Sequence, residues 1–280
     1  PVVQQPDVAS GRIPLPQGVF TRTPDPTDVD RGRIQSWNVA YEQRLPWDVA
    51  AEIAYVGTAT DGGYADLNIN YGEPGGGNAS RKYFALAGTT TVNSWGSRTK
   101  ARYKALQLSL SRPFKNGLML RGAYTLSEAK NMADEDGWTG LTWNHPLKFD
   151  DNFALAGFDR THIAQLGFLY QLPFFKDSQG ALKAILGDWQ VNGIAGFWSG
   201  TPYSIGGTNN ALNCQGCGSI NINFAGDSPS PIGSPGSPTE TYYDKALFSQ
   251  PTGTDVNGFG TSDRNQFRRP SVWNVDLSLF

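Results

Sequence analysis

The segment Tyr103–Glu128 constrains the fold most strongly, because two alternating stretches of apolar and polar residues flank a tight turn. Leucines occupy every second position from Leu106 to Leu110, and this period of two is typical of a β-strand with two unlike faces. Asn116-Gly117 follows and favours the positive φ angles of a tight hairpin. Each strand runs for about 10 residues, whereas soluble strands usually have ~5–6 and strands tilted across a bilayer need ~9–11. The hairpin therefore predicts an outer-membrane β-barrel.

Charge and hydropathy exclude several classes of protein. The net charge is −2, so the chain lacks the basic surface that nucleic-acid binding requires, and we expect no nucleic-acid partner. No run of roughly 18 apolar residues occurs, which excludes a membrane-spanning helix but not a barrel of alternating strands. The N-terminal residues have neither a charged start nor an apolar stretch, so we expect a sequence that is mature or belongs to a longer chain.

The alternation along the chain predicts an all-β fold with seven strands. Residues 1–32, which are rich in Pro and Asp, are expected to form an irregular loop or an incoming connection. Residues 33–280 are expected to form a segment of β-barrel wall. The predicted strands cover residues 33–44, 48–57, 102–112, 117–129, 161–172, 188–200 and 271–280.

The connections favour a barrel over a soluble β-sandwich. The long segments 58–100, 130–158 and 201–269 alternate with short turns, so the long loops all fall at one end of the strands. Outer-membrane barrels have short periplasmic turns and long extracellular loops, whereas loops beyond ~15 residues are uncommon in compact soluble domains. Aromatic residues lie near strand ends, as interfacial girdles require: Trp37, Trp47, Tyr55, Tyr124, Tyr170, Trp189, Trp198 and Trp273. We therefore expect an antiparallel transmembrane β-barrel segment in the bacterial outer membrane, with its long loops facing the extracellular side.

The same alternation predicts which residues meet lipid. Apolar positions such as Leu108 and Val275 are expected to face outer-membrane lipid, and the polar positions between them are expected to line the lumen. The predicted lumen-facing residues are Glu42, Glu52, Gln107, Arg121, Gln165, Gln190 and Asp276.

Six blocks of the sequence, in order and with similar spacing, resemble successive blocks of TonB-dependent outer-membrane receptors. They are WNVAYEQRLPWDVAAEIAYVG, YKALQLSLSRPFKNGLMLRGAYTLSEAKN, DGWTGLTWN, ALAGFDRTHIAQLGFLYQLPF, LGDWQVNGIAGFWSGTPYSI and NQFRRPSVWNVDLSLF. The resemblance covers about Asp25 to Phe280 and is to the subgroup with a carboxypeptidase-regulatory-like N-terminal domain. It implies a barrel of about 22 strands with a plug inside its lumen. It also implies solute import powered by the TonB–ExbB–ExbD system of the inner membrane.

The sequence departs from this family pattern in several respects. The plug domain, the TonB-binding box and the carboxypeptidase-regulatory-like module have no counterpart in it, and in the family a segment like WNVDLSLF precedes further strands. An open seven-stranded sheet would also expose two unpaired edges to lipid. We therefore expect a late-middle piece of the barrel wall, with the plug domain absent. A second interpretation takes Phe280 as a true C-terminus, since outer-membrane proteins often end in Phe after an alternating strand.

Candidate chemistry is sparse. Cys214 and Cys217 could form a redox or metal pair, but without a second Cys pair or a nearby His we expect a small local disulfide. The acidic cluster Asp134–Asp136 offers the oxygen ligands that Ca²⁺ prefers, although no EF-hand spacing supports a site and a solvated loop is the alternative. His145 and His162 have no partnered Ser or Cys motif. We expect neither a catalytic role nor a cofactor.

Solute capture is expected in the long loops, where aromatic faces stack on sugars or peptide side chains and amides orient them. The candidate residues are Trp95, Trp138, Trp143, Asn209, Asn210, Tyr242 and Tyr243. The expected solute is an oligosaccharide, a peptide or a metal chelate. Two other classes stay open: a soluble β-sandwich that binds carbohydrate, and a structural surface protein whose strand edges are completed by neighbouring copies in a filament.

Overall fold

The computed structural model describes residues 21–134, 140–174, 180, 183, 187–226, 228–237 and 239–280, and these residues have an all-β fold. Their strands are β1 (Thr21–Pro24), β2 (Arg33–Leu45), β3 (Val49–Asn68), β4 (Val92–Lys115), β5 (Leu118–Asn131), β6 (Ala154–Leu155), β7 (His162–Gln171), β8 (Gln190–Trp198), β9 (Pro202–Tyr203), β10 (Asn223–Phe224), β11 (Phe248–Ser249), β12 (Phe267–Arg268) and β13 (Val272–Leu279). Short helical segments occur at Pro46–Asp48, Asn78–Ser80, Phe84–Ala87, Asp150–Asn152, Lys245–Leu247 and Val256–Phe259. No helix in the described part of the chain is long and apolar enough to cross a membrane.

The longest strands form one antiparallel sheet, here called the wall, in the order β13-β8-β7-β5-β4-β3-β2. Successive wall strands in the sequence are therefore neighbours in space. The short strand β6 pairs with β5, and β1 pairs in parallel with the start of β4. At the hairpin between β4 and β5, Asn116 and Gly117 have φ angles of 52° and 78°, the positive values that the turn sequence favours. This up-and-down order is typical of a β-barrel wall.

Each predicted strand overlaps one wall strand, but the predicted loop at 58–100 is wrong at both ends, and only residues 69–91 lie between the two strands. β3 continues to Asn68 and β4 already begins at Val92, so both strands extend well beyond the predicted bounds. The extensions pair with each other across a bulge beside Gly62, whose φ of 71° lets the strand bend and continue. Residues 21–24 also pair as β1, although the sequence predicts an irregular segment for residues 1–32. Residues 1–20 lie outside the described residues.

Cross-strand pairing shows that the wall has one apolar face and one polar face. One row of directly paired residues crosses all the strands on the apolar face: Tyr41, Ile53, Leu108, Tyr124, Ala164, Phe197 and Trp273. The adjacent row belongs to the polar face: Glu42, Glu52, Ser109, Ala123, Gln165, Gly196 and Asn274. The apolar side chains are uncovered; Trp273, for example, is 72% exposed. This placement is the one that the alternation predicts.

Apart from small wall residues such as Ala54 and Ala105, the buried core lies in the loops. The long loops fold together into a loop cap, which comprises the described parts of residues 62–99, 132–161 and 199–271. One cluster joins the second and third loops through Trp143, Leu212, Cys217 and Phe259. Another joins the first and second loops through Ala65, Met132 and Leu141. A third lies within the last loop, around Ile222, Phe224 and Phe267. The cap is therefore a packed structure at one end of the wall.

Candidate functional site

Trp143 lies inside the loop cap. Its side chain is fully buried, its indole Nε1 donates to the carbonyl oxygen of Ser219 at 2.9 Å, and the Lys148 Nζ lies 5.0 Å from the ring centroid. Its backbone N–H donates to Asn152 Oδ1 at 3.0 Å. The ring has no free face in this arrangement, so Trp143 stabilises the cap and does not present an aromatic surface to a solute.

Asn209 and Asn210 are neighbours with different environments. Asn209 is buried, and its Nδ2 donates to the carbonyl oxygens of Gly253 at 2.6 Å and Gly258 at 3.2 Å. Asn209 thus holds two parts of the third loop together. Asn210 is exposed on the cap surface, where its amide is accessible.

Tyr242 and Tyr243 pack edge to face, with ring centroids 4.8 Å apart. The Tyr243 hydroxyl donates to the carbonyl oxygen of Arg268 at 2.8 Å, and its ring lies 5.7 Å from that of Phe267. Burial raises the pKa of Tyr243 above its usual value of 10.0. Tyr243 is therefore a structural contact of the third loop, while the half-buried Tyr242 leaves part of its ring at the surface.

Trp95 lies on the extension of β4, in a different part of the cap from the tyrosines. Its half-buried ring packs edge to face on Tyr64, with centroids 5.4 Å apart. The Tyr64 hydroxyl in turn donates to the carbonyl oxygen of Asp30 at 3.1 Å. The ring contact of Trp95 is thus with Tyr64 and not with Tyr242 or Tyr243, and Trp138 lies outside the described residues.

Cys214 and Cys217 are joined by a disulfide. Both sulfurs lie 3.1 Å from the carbonyl oxygen of Gly72, whose backbone N–H donates to the Gln215 carbonyl at 2.8 Å. The disulfide loop of the third segment is thereby fastened to the first segment. The disulfide-closed turn therefore forms a contact between the first and third loops.

Asp134 is the only member of the acidic cluster Asp134–Asp136 within the described residues. Its Oδ1 accepts from the Gly157 backbone N–H at 2.8 Å and lies 3.0 Å from Arg264. Burial acts to raise the pKa of Asp134, but the Gly157 hydrogen bond and the Arg264 charge outweigh it, so the pKa lies below its usual value. Among the described residues, no group of three or more His, Cys, Asp or Glu side chains could hold a metal ion.

Two arginines that the sequence does not single out hold the cap together, and one of them also contacts the wall at Asn131. Arg264 Nη1 donates to the carbonyl oxygens of Asn131 at 2.8 Å and Asn152 at 3.1 Å. Arg268 pairs with the buried carboxylate of Asp159 at 2.5 Å. The available signal was the arginine-rich run just before the last strand, but its partners are more than a hundred residues away in the sequence.

The residues predicted to line the lumen share the polar face of the wall. Glu42 is directly opposite Glu52. In another row, Asp276 is opposite Ile194, and the pairing continues from there through Gly167 to Arg121. The remaining predicted residues are Gln107, Gln165 and Gln190, and the pairing places them on this face too. One side of the wall therefore carries a hydrogen-bonding surface below the cap.

The antiparallel wall, apolar on one side and polar on the other, with ordered long loops at one end, defines the wall of an outer-membrane β-barrel. A family profile described as outer membrane beta barrel domain matches residues 1–280. The chain belongs to this family and is a protein of the bacterial outer membrane, whose strands are transmembrane strands. No curated protein matches the chain. The apolar face is thus the lipid-facing side, and the soluble β-sandwich interpretation is wrong.

Proposed function

We propose that the chain forms part of the wall of a TonB-dependent transporter, which binds a solute with its extracellular loops and imports it into the periplasm. The observation that carries this proposal is the loop cap. Three long loops are held together by buried clusters at one end of the wall, and the disulfide-closed turn of the third loop is hydrogen-bonded to Gly72 of the first. A receptor needs such an ordered surface to recognise a solute, because disordered loops would lose conformational entropy on binding. The resemblance of six sequence blocks to TonB-dependent receptors supports the same function.

In this proposal the accessible cap residues contact the solute and the buried ones shape the surface. Trp95, Asn210 and Tyr242 keep exposed or half-exposed side chains, so they are the solute contacts. Trp143 and Asn209 hold the loops that present them. The solute is an oligosaccharide, a peptide or a metal chelate, since stacking and amide hydrogen bonds suit all three.

In this proposal the polar face of the wall holds the plug inside the lumen. Its carboxylate, amide and guanidinium groups are suited to many weak hydrogen bonds with a plug inside the lumen, and force from the TonB–ExbB–ExbD system would act through that plug. We also propose that the chain is not an enzyme and uses no cofactor. In support, Cys214 and Cys217 are bonded to each other, Asp134 is paired with Arg264, and His145 lies in the cap beside Glu73, at 3.4 Å.

The experiment that tests the proposal is uptake by cells that carry the complete gene. Three labelled probes are compared: a mixture of oligosaccharides, a mixture of short peptides and a ferric chelate. Each is measured in wild-type cells, in cells without the gene and in cells without TonB. We expect one probe to be taken up only when both the gene and TonB are present. Uptake that requires the gene but persists without TonB would show a passive pore and overturn the proposal.

Variants of the cap connect the uptake to this chain. We expect Trp95→Ala or Asn210→Ala to weaken binding of the transported probe by about tenfold, the size expected for loss of one stacking or oriented polar contact. The matched control is Trp47→Ala, because Trp47 is an 82% exposed tryptophan at the opposite end of the wall. Equal losses in the cap variants and the control would argue against recognition by the cap.

A further inference from the structure

The apolar face of the wall changes character on the side of the loop cap. Trp37 and Tyr55 lie at the end of the apolar belt, and the next positions on the same face are charged. Lys104 is opposite Gly57 and Glu128, and Arg102 is opposite Ala59 and Lys130. One step further, Asp61 lies between Arg33 and Lys100. Pairing in register keeps all of these side chains on the lipid-facing side, away from the lumen.

These residues form a surface that we call the basic collar, defined as Arg33, Lys100, Arg102, Lys104 and Lys130. The same positions include only two carboxylates, Asp61 and Glu128. Five cations against two anions leave an excess of three positive charges, in a chain whose net charge is −2. Positive charge is therefore concentrated at this one level of the lipid-facing side.

The two carboxylates do not neutralise the collar. Lys104 Nζ lies 3.0 Å from one oxygen of Glu128 and Lys130 Nζ lies 3.5 Å from the other, so a single carboxylate serves two ammonium groups. Arg102 Nη2 pairs with Asp61 at 2.6 Å and its Nη1 donates to the carbonyl oxygens of Thr60 and Ala101, while 41% of its side chain stays exposed. The Lys104 side chain is 60% exposed. The ammonium groups of Lys104 and Lys130, which share one carboxylate, thus have donors available for a further anion.

A depression of about 300 Å³ opens between the collar and the aromatic end of the apolar belt. Arg102, Lys104 and Lys130 line it together with Glu128, and the aromatic rings of Trp37, Tyr55 and Phe153 line it as well. Asp150 and Asp151 line an adjoining depression that shares Lys130 and Phe153 with this one, and Asp151 pairs with Lys148. Cations and aromatic rings of the lipid-facing side therefore meet in one hollow, together with the carboxylate of Glu128.

The level of the collar matches the edge of a bilayer. On β4, the apolar lipid-facing run is bounded by Lys104 and Arg112, which are eight positions apart, or about 26 Å along the strand at ~3.3 Å per residue. With the ~40° tilt of barrel strands this is about 20 Å along the membrane normal, close to the ~25 Å apolar band of such barrels. Lys104 and the rest of the collar thus lie where lipid headgroups begin.

We propose that the basic collar binds the phosphorylated headgroup of an outer-leaflet lipid. Its phosphate groups would accept hydrogen bonds from Arg102, Lys104 and Lys130, since guanidinium and ammonium groups are the usual protein donors to phosphate. Its acyl chains would lie along Leu106 and the belt below. The continuity of the hollow with this apolar surface distinguishes a lipid from free phosphate. The assignment to the outer leaflet rests on the proposed function, in which the loop cap faces the cell exterior.

The test uses the full-length natural protein in nanodiscs and measures binding of lipid A, a diphosphorylated glycolipid, by native mass spectrometry. In the collar variant, Arg102→Gln, Lys104→Gln and Lys130→Gln are combined. We expect its binding to fall at least tenfold. The matched control combines Arg44→Gln, Lys115→Gln and Lys245→Gln, which removes three exposed charges outside the collar and should leave binding unchanged. Equal binding by the collar variant and the wild type would overturn the proposal.

A second measurement needs only the wild-type protein, so it stands even where the variant fails to fold. Lipid A is compared with its dephosphorylated form and with inorganic phosphate as a competitor. We expect dephosphorylation to weaken binding at least tenfold and inorganic phosphate to compete poorly. Equal binding of the dephosphorylated lipid would show attachment by the acyl chains alone, and strong competition would show a free-phosphate site; either overturns the proposal. Lipid binding is independent of TonB, so failure of the uptake experiment would refute transport without affecting this result.

Discussion

A charge placed in the middle of the wall tests the assignment of its two faces. Leu108 lies on the apolar face, directly opposite Ile53 and Tyr124. The lipid-facing charges on either side of it on β4 are Lys104 and Arg112, each four positions away, or about 13 Å along the strand. Leu108 is therefore close to the bilayer midplane. An arginine on the lipid side costs ~2–4 kcal/mol at that depth and ~0–1 kcal/mol near the interfaces.

We therefore expect Leu108→Arg to lower the free energy of unfolding by about 2–4 kcal/mol. The control is Ser109→Arg, because the next residue of the same strand points to the polar face. Ser109 is opposite Glu52, so the new guanidinium gains a carboxylate partner instead of entering hydrocarbon. We expect this control to change the free energy by less than about 1 kcal/mol.

The assay is urea titration of the full-length protein folded into lipid vesicles, followed by tryptophan fluorescence. Heat-modifiable electrophoretic mobility shows independently whether each variant has assembled. The result that refutes the reasoning is a loss for Ser109→Arg equal to or larger than that for Leu108→Arg. It would mean that the alternation of side chains does not separate lipid from lumen in this wall.

Three further predictions concern the loop cap. Trp143→Ala should destabilise the cap by ~3–5 kcal/mol, the usual cost of truncating a buried Trp, and increase its cleavage by protease while the wall stays assembled; the exposed Trp47→Ala should change neither. Replacing both Cys214 and Cys217 with Ser opens a closed loop of four residues, which is worth about 2 kcal/mol in chain entropy. We therefore expect amide hydrogen exchange to increase around Gly72, and unchanged exchange would show that the disulfide does not stabilise the contact between the two loops. The pKa of Asp134 in the folded protein is below its usual value of 3.8. The stabilisation that the ionised carboxylate gives is therefore present above the usual pKa and is lost as the pH falls through the lower pKa of the folded protein. Asp134→Asn should flatten this acid dependence of cap hydrogen exchange between about pH 5 and pH 2, and a profile as steep as that of the wild type would argue against the linkage.

The faces of the wall could be predicted from sequence because they depend on a local rule. Side chains of a strand alternate, so Leu106, Leu108 and Leu110 must share a face whatever their partners are. The pairing in the structure then joins these residues to Tyr55, Ile53 and Ala51 on the same face, as expected. The tight turn also depends on a local rule, because Asn116 and Gly117 both accept the positive φ angles that it requires.

The extent of β3 and β4 and the roles of the cap residues could not be predicted in this way. Asp61-Gly62-Gly63 has the composition of a turn, yet the strand continues because a partner strand supplies its hydrogen bonds. Trp143 is a loop tryptophan in sequence and resembles any exposed binding residue. Its burial depends on contacts with Leu212 and Phe259, and no local pattern identifies partners so distant in the chain.

The opposite environments of Leu108 and Trp143 give the wall and the cap different sources of stability. On the wall, apolar side chains have no protein cover, and in water each would forgo the ~25 cal/mol per Å² that burial provides. Lipid removes that penalty, so the wall depends on the bilayer for its stability. In the cap, Trp143 is 0% exposed and the clusters are covered by protein, as in a water-soluble domain. The change from one regime to the other falls near Trp37 and Lys104, where aromatic residues give way to charged ones. The membrane boundary is therefore the level at which the apolar residues cease to lie on the outside of the sheet and instead lie inside the cap.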